Sequence, residues 1–207
     1  MLLGFQVCRD ASRMNPAVLN FSLRNARALA SLRIAVGILF LIFGQYKVFG
    51  TQFTLHGGFQ FWINRFLTDG AYPFMVPVLR SFVLPHATPI AFLVALGELA
   101  IGFALLLGIC VRPASAFGLL FMLTLLFCSN YPGEHAPIWQ YFGASLDHSV
   151  LALCFAAFLI GRPDAIWSLG AWLTAKRDLA AERARTDKPD FAKQVNSVRL
   201  LGRGRRR

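Results

Sequence analysis

An all-α integral membrane protein, organised as a four-helix bundle, is the fold class that the sequence predicts. Three observations point there: apolar runs of bilayer-spanning length, a chain that is 56% hydrophobic with mean hydropathy of +0.54, and a one-sided placement of its Lys and Arg residues. A helix rising 1.5 Å per residue needs about 20 apolar residues to cross the hydrocarbon core. The 207 residues hold one domain with four such runs, and ordinary soluble chains are less apolar than this one.

Residues 1–27 mix apolar positions with Arg9, Arg13, Arg24 and Arg27 and read as a cytoplasmic or interfacial leader. The first span, 28–49, follows and serves as the insertion signal, since the acidic and basic residues near the start interrupt any cleavable signal sequence. One face of this span carries Arg33, Gly37, Phe40, Gly44 and Lys47. Lys47 therefore shares the glycine side, where helices approach each other closely. Snorkelling to the headgroups is the alternative for a lysine there.

Residues 50–88 lack a continuous spanning run. Within them Phe59, Trp62, Ile63, Phe66 and Leu67 recur at helical spacing opposite Gln60, Asn64, Arg65 and Thr68, the pattern of interfacial helices in the first outer loop. Gly70, Pro73, Pro77, Pro85 and Pro89 then punctuate a stretch expected to fold back over the bundle as a lid or re-entrant segment.

The second span, 89–111, contains one acid, Glu98, near its middle. A carboxylate at that depth costs roughly 2.5–3.5 kcal/mol even on insertion scales, so it faces protein or water and has a partner or a task. Steps of four and three place Ala91, Ala95, Gly102 and Leu105 on its face, which is that of a helix turned into the bundle. A tight turn at Arg112 and Pro113 leads to the third span, 114–129, which Asn130, Tyr131, Pro132 and Gly133 terminate. The fourth span, 142–160, carries Asp147 and His148 in its first turns, and residues 162–175, with Trp167 and Trp172, form an interfacial amphipathic segment. From 176 to 207 the chain is a basic cytoplasmic tail expected to be disordered. The transmembrane domain is thus 28–161.

Of the 21 Lys+Arg, all but Lys47, Arg65 and Arg80 fall on the side of the termini, so both termini are expected in the cytoplasm. The net charge of +11 is then a topology signal with some attraction to anionic membrane lipid, and no nucleic-acid partner is expected. The four cysteines form no C-x-x-C pair, and Cys110, Cys128 and Cys154 behave as small hydrophobes in spans. His56, His86 and His135 lie in outer loops without ligand spacing, so no metal is expected, and one intramembrane histidine is too few for a bis-histidine haem.

With that topology Gln45, Tyr46, Lys47, Asn130, Asp147, His148 and, deepest, Glu98 all fall in the outer half. They are the candidate lining of one outward-facing polar cavity with aromatic walls from Phe40, Phe43, Tyr46 and Phe92. A carboxylate, an imidazole and an ammonium around an apolar pocket suit a lipophilic proton-exchanging ligand such as a quinone, with Glu98 and His148 as the catalytic, proton-handling candidates. A Lys47–Glu98 pair that only fixes helix register is the alternative.

The set Arg33-x3-Gly37-x6-Gly44-x2-Lys47, followed by Gly97-Glu98, Gly102 and Gly108-Ile-Cys-Val-Arg112, resembles the DoxX family, and within it the DoxD-like branch, the small subunit of thiosulfate:quinone oxidoreductase. The similarity covers roughly residues 30 to 170. It implies a four-helix protein of the bacterial inner membrane, a quinone cofactor, sulfur-compound or thiol redox chemistry, and a redox partner or second subunit, with homo-oligomers compatible. Lys47 and Glu98 are family-pattern positions. A proton-coupled small-solute transporter and a non-enzymatic membrane scaffold for a redox partner are the other two functions open at this point.

Overall fold

The computed structural model describes residues 16–143 and 146–186, and the regular structure among them is helical. α1 (Pro16–Phe49) is one helix of 34 residues. Pro16 opens it, where a missing N–H leaves nothing unpaired, and no further proline or glycine interrupts it before Gly37. The expected leader is therefore helical from Pro16 onward, continuous with the first span; residues 1–15 lie outside the described residues.

α2 (Gly58–Asp69) follows, then the single turn α3 (Met75–Val78), which widens into a π-helical turn, Leu79–Val83, where the Leu84 N–H donates to the Leu79 carbonyl at 2.9 Å. α4 (Ala87–Leu107) accepts Pro89 in its first turn. Its end is a Schellman motif: Gly108, at φ 69°, donates to Leu105 O at 3.3 Å, and Ile109 donates to Ala104 O at 3.0 Å.

α5 (Val111–Cys128) begins earlier than the turn expected at Arg112 and Pro113. The reversal falls instead on Gly108 and Cys110, both at positive φ, and Pro113 sits in the first helical turn, where its fixed φ is helical already. Within the expected fourth span, 142–160, the described helical residues are the end of α6 (Ile138–Gly143) and α7 (Leu146–Ile160); residues 144–145 lie outside the described residues. Among the described residues three helices are long and apolar enough to cross a membrane, namely Asn20–Phe49, Ala87–Leu107 and Val111–Cys128. α7 is apolar but, at 15 residues, spans only about 22 Å at 1.5 Å per residue.

α1 packs along α4 and α5 packs along α7, and contact between α4 and α5 joins the two pairs. The core between them holds Val36, Phe40, Ile101, Leu105, Val111, Met122, Phe155 and Phe158, with Phe40 and Phe155 edge to face at 5.3 Å. Glycines set the α1–α4 separation. A Cβ on Gly37 would lie 2.9 Å from Leu106 N, one on Gly44 2.9 Å from Leu99 N, and one on Gly102 2.9 Å from Leu41 N.

A second cluster lies at the other end of α4: Phe59 and Ile63 of α2, Ala71 and Leu79 pack on Ala87 and Ala91 of α4 and Cys128 of α5. Residues 50–86 thus form a cap over this end. The cap is tied to the last turn of α5 by Tyr72 N–H donating to Phe127 O at 3.1 Å, and to the chain after it by Tyr131 N–H donating to Gly70 O at 2.7 Å. The Tyr72 hydroxyl donates to Tyr141 O at 3.0 Å.

The chain from Ala171 on is a separate unit. α8 (Leu169–Thr186) runs into it, so the expected disordered tail is helical up to Thr186; residues 187–207 lie outside the described residues. Ala, Leu, Glu and Arg, the strong helix formers, make up most of 179–185 and account for this. Within that unit the Lys176 ammonium lies 5.0 Å from the centre of the Trp172 ring.

Candidate functional site

Glu98 is 5% exposed, on the face of α4 that also buries Ala91, Ala95, Gly102 and Leu105. Its position follows from the glycine contacts. They hold α1 and α4 antiparallel at close range, so that the last turn of α1 passes beside the middle of α4. Lys47, in that last turn, donates from its ammonium to Glu98 Oε1 in an ion pair. The Lys47 ammonium also lies 5.1 Å from the centre of the Phe53 ring, and Phe53 stands edge to face with Phe59 of the cap at 5.5 Å. The cation is thus shared between a carboxylate on one side and an aromatic face on the other.

The second carboxylate oxygen is in a different condition. Glu98 Oε2 is buried and has no hydrogen-bond partner. A carboxylate carries about four lone-pair sites, and one oxygen left bare in an apolar interior is an expensive arrangement. It is therefore a free acceptor, or in the protonated state a free donor, held within the bundle.

The other expected lining residues are distributed differently. Gln45 and Tyr46 are exposed, Tyr46 by 72%, on the side of α1 turned away from α4. Phe43 and Phe92 are exposed as well, and of the four expected aromatic walls only Phe40 is buried in the core. Asn130 is exposed, at φ 55°, a left-handed conformation that asparagine tolerates, and reverses the chain after α5. Asp147 is largely exposed at the start of α7, with its Oδ1 3.2 Å from His148 Nδ1. The buried Nδ1 makes no hydrogen bond. Among the described residues no hydrogen bond or ion pair joins His148 to Glu98 or Lys47. Lys47 and Glu98 are brought together; Gln45, Tyr46, Asn130, Asp147 and His148 are not joined to them by bonds.

Two participants escape a reading of the sequence. Phe53 carries no signal beyond being aromatic and close to Lys47 in the chain. Arg33 does carry one, a charge on the glycine face of the first span, which charge placement alone assigns to topology. It is completely buried. Its Nη1 donates to Leu105 O at 2.5 Å and its Nη2 to Trp167 O at 2.7 Å. Beside it the Ser168 hydroxyl donates to Gly108 O at 2.9 Å. No group of three or more His, Cys, Asp or Glu suited to a metal ion occurs among the described residues.

No curated protein and no solved structure matches the chain. A family model does: residues 28–130 match the one described as DoxX. That segment contains α4, α5, the cap and the apolar part of α1, and hence Arg33, Lys47, Phe53 and Glu98 together. Over this segment the chain belongs to the DoxX family, as a membrane protein built on apolar helices.

Proposed function

We propose that this protein is the membrane subunit of a quinone-linked oxidoreductase, serving sulfur-compound or thiol oxidation, and that a quinone head group docks against Glu98. The observation that carries this reading is the buried Glu98 Oε2 without a partner, beside an Oε1 held by Lys47. Buried polar atoms in folded proteins are nearly always paired, and one that is not calls for a ligand or a proton. In this reading the electrons come from a redox-active partner protein.

A quinone supplies a couple that takes up two electrons and two protons. The residues supply the rest. Lys47 fixes Oε1 and so aims Oε2. When ionised, Oε2 accepts a hydrogen bond from a hydroxyl; when protonated, it donates one to a carbonyl oxygen. Glu98 can therefore hold or release one proton at the head group. Phe53 and the glycine-lined contact of α1 with α4 keep the surroundings apolar. His148, whose buried Nδ1 makes no hydrogen bond and lies beside the Asp147 carboxylate, is the second proton-handling candidate, and relay from Glu98 would pass through water. The placement of Lys and Arg favours cytoplasmic termini, with the cap on the outer face of a bacterial inner membrane.

The test is titration of the purified full chain, in mild detergent, with a short-tailed benzoquinone, for wild type and Glu98→Gln side by side. Wild type is expected to bind saturably. The variant loses a charge-assisted hydrogen bond worth about 1.5–3 kcal/mol, a weakening of roughly tenfold or more. Indistinguishable titrations would make Lys47–Glu98 a register pair and return the protein to the role of a scaffold.

A further inference from the structure

The cap covers only one side of α4, and the register of α1 fixes its depth. Leu41 lies against Gly102 and Gly44 against Leu99, so the end of α1 at Phe49 falls near the level of Val94. α4 continues to Ala87, about 10 Å further at 1.5 Å per residue. Over that last stretch Ala87, Ile90, Ala91 and Val94 pack against the cap, whereas Phe92, Leu93 and, just below, Leu96 are exposed, Leu93 by 72%. Those exposed residues belong to a helix long and apolar enough to cross a membrane, on the side of it left for lipid to cover. The cap sits on the opposite side of the same helix at the same height.

The cap's own outer surface carries large apolar side chains, with polar residues such as Thr51, Gln52, His56 and Ser81 exposed between them. Phe61, Trp62, Phe74, Val78 and Phe82 are all exposed by 43% or more. On α2 the exposed positions change character along the axis. They begin with Phe61 and Trp62 and end with Asn64, Arg65, Thr68 and Asp69, where Arg65 Nε donates to Asp69 Oδ2 at 2.6 Å. The polar end is the one nearest Gly70 and Tyr131, beyond the end of α5; the apolar end adjoins the end of α1. A helix rising from hydrocarbon to headgroups needs that gradient, and a helix lying in water does not.

We infer that the cap is embedded in one leaflet of the bilayer, with Phe61, Trp62, Phe74, Val78 and Phe82 in contact with lipid acyl chains. The occupant of this apolar face is lipid because the face continues, at one depth, the lipid-facing surface of α4. Within α2, α3 and the π-helical turn the backbone groups are bonded internally, as hydrocarbon requires. Arg80, exposed on that turn, reaches the headgroups along its own stem. The inference stands independently of what binds Glu98.

The test uses the full chain, with its four native cysteines replaced, reconstituted in phospholipid vesicles. A nitroxide is placed at Phe61→Cys, Phe74→Cys or Phe82→Cys, with Leu93→Cys as the lipid reference and Glu134→Cys as the water reference. Collision with dissolved oxygen and with a water-soluble nickel chelate is then compared. The three cap positions should match Leu93, with an oxygen-to-nickel ratio severalfold above that at Glu134. Ratios like that of Glu134 would place the cap in water and overturn the inference. Low collision with both agents would also overturn it, showing a second copy or another protein over the face. A label-free control is quenching of Trp62 by brominated lipid in a chain whose other tryptophans are phenylalanine: strong quenching supports the embedded cap, and its absence rejects it.

Discussion

Two charged side chains are buried along the α1–α4 interface, each with one polar atom left without a partner, and the bundle holds them in different ways. Arg33 is completely enclosed, and two of its nitrogens donate to main-chain carbonyls, one in the last turn of α4 and one at Trp167, 134 positions away in sequence. Glu98 is held through one oxygen by Lys47 and left bare at the other. A guanidinium on backbone carbonyls ties the end of α4, where Leu105 O also accepts from Gly108 N–H, to the segment at Trp167; its Nε is buried without a partner too, but an arginine keeps its protons and can only donate. A carboxylate with one oxygen committed and one free is positioned and still reactive. The first arrangement fits a lock and the second a site.

Removing the lock should have the largest effect on stability. Arg33→Met removes the side-chain donor from the Leu105 and Trp167 carbonyls and the guanidinium from a fully enclosed position, a combined loss of about 3 kcal/mol or more. The thermal midpoint in detergent should fall further than for any substitution at Glu98. Gly108→Ala attacks the same place, because its Cβ would collide with the Arg33 guanidinium and Ser168 at a positive φ. If Arg33→Met unfolds no earlier than Glu98→Gln, the division between lock and site is wrong.

Next in size is a cycle on the pair itself. Lys47→Met strands a buried carboxylate and should cost about 3–5 kcal/mol, whereas Lys47→Met with Glu98→Leu should regain most of it, since apolar replacement of a whole buried pair is often neutral. The sharper reading comes from following quinone titration in the same variants. Recovery of stability without recovery of binding separates a functional carboxylate from a register pair. Recovery of both would show that Glu98 does no chemistry.

A smaller effect is expected where the two helices touch. Gly44→Ala and Gly102→Ala each push a methyl group to within 2.9 Å of the facing backbone nitrogen. Overpacking of this kind costs about 1–3 kcal/mol. Either substitution should also weaken quinone binding by moving Lys47 relative to Glu98. An unchanged midpoint and titration in Gly44→Ala would mean that the separation of α1 from α4 is set elsewhere.

Both buried faces are legible in the sequence, because small residues and a charge recur at steps of three and four: Gly37, Phe40, Gly44 and Lys47 on α1, Ala91, Ala95, Glu98 and Gly102 on α4. The partner of Glu98 can be read from the same periodicity. The partner of Arg33 cannot, since Trp167 lies in an irregular segment at φ 51° whose course depends on tertiary packing. The π-helical turn is illegible for the same reason, and the start of α5 is ambiguous because Pro113 signals a break and a first helical turn equally well. The outward-facing aromatics Phe43, Tyr46 and Phe92 show a limit specific to membranes. Apolar composition marks both the core and the lipid face, so periodicity alone cannot say which side an aromatic takes.

The cap adds a third way of holding a polar group near the bundle, and with it the smallest expected effect. Tyr72 is neutral, buried among Phe127, Tyr131 and Tyr141, and donates to Tyr141 O at 3.0 Å. Burial first, then the neighbouring Tyr141 and Tyr131, push its phenol above the ordinary tyrosine range. The folded state therefore keeps this proton more firmly than the unfolded chain does. Its contribution is fully present below the unfolded value of about 10 and is lost as pH rises from there through the folded value. Ionisation also removes the donor to Tyr141 O, so the cap should loosen from the chain after α5 in the same window. Tyr72→Phe forgoes about 1 kcal/mol of hydrogen bonding at neutral pH and should lose less than wild type above pH of about 10. Thermal midpoints of both proteins across that window decide it. Parallel curves would show that Tyr72 does not couple the cap to pH. Converging curves would make the clasp between Tyr72 and Tyr141 a point at which the cap opens while the Arg33 lock stays closed.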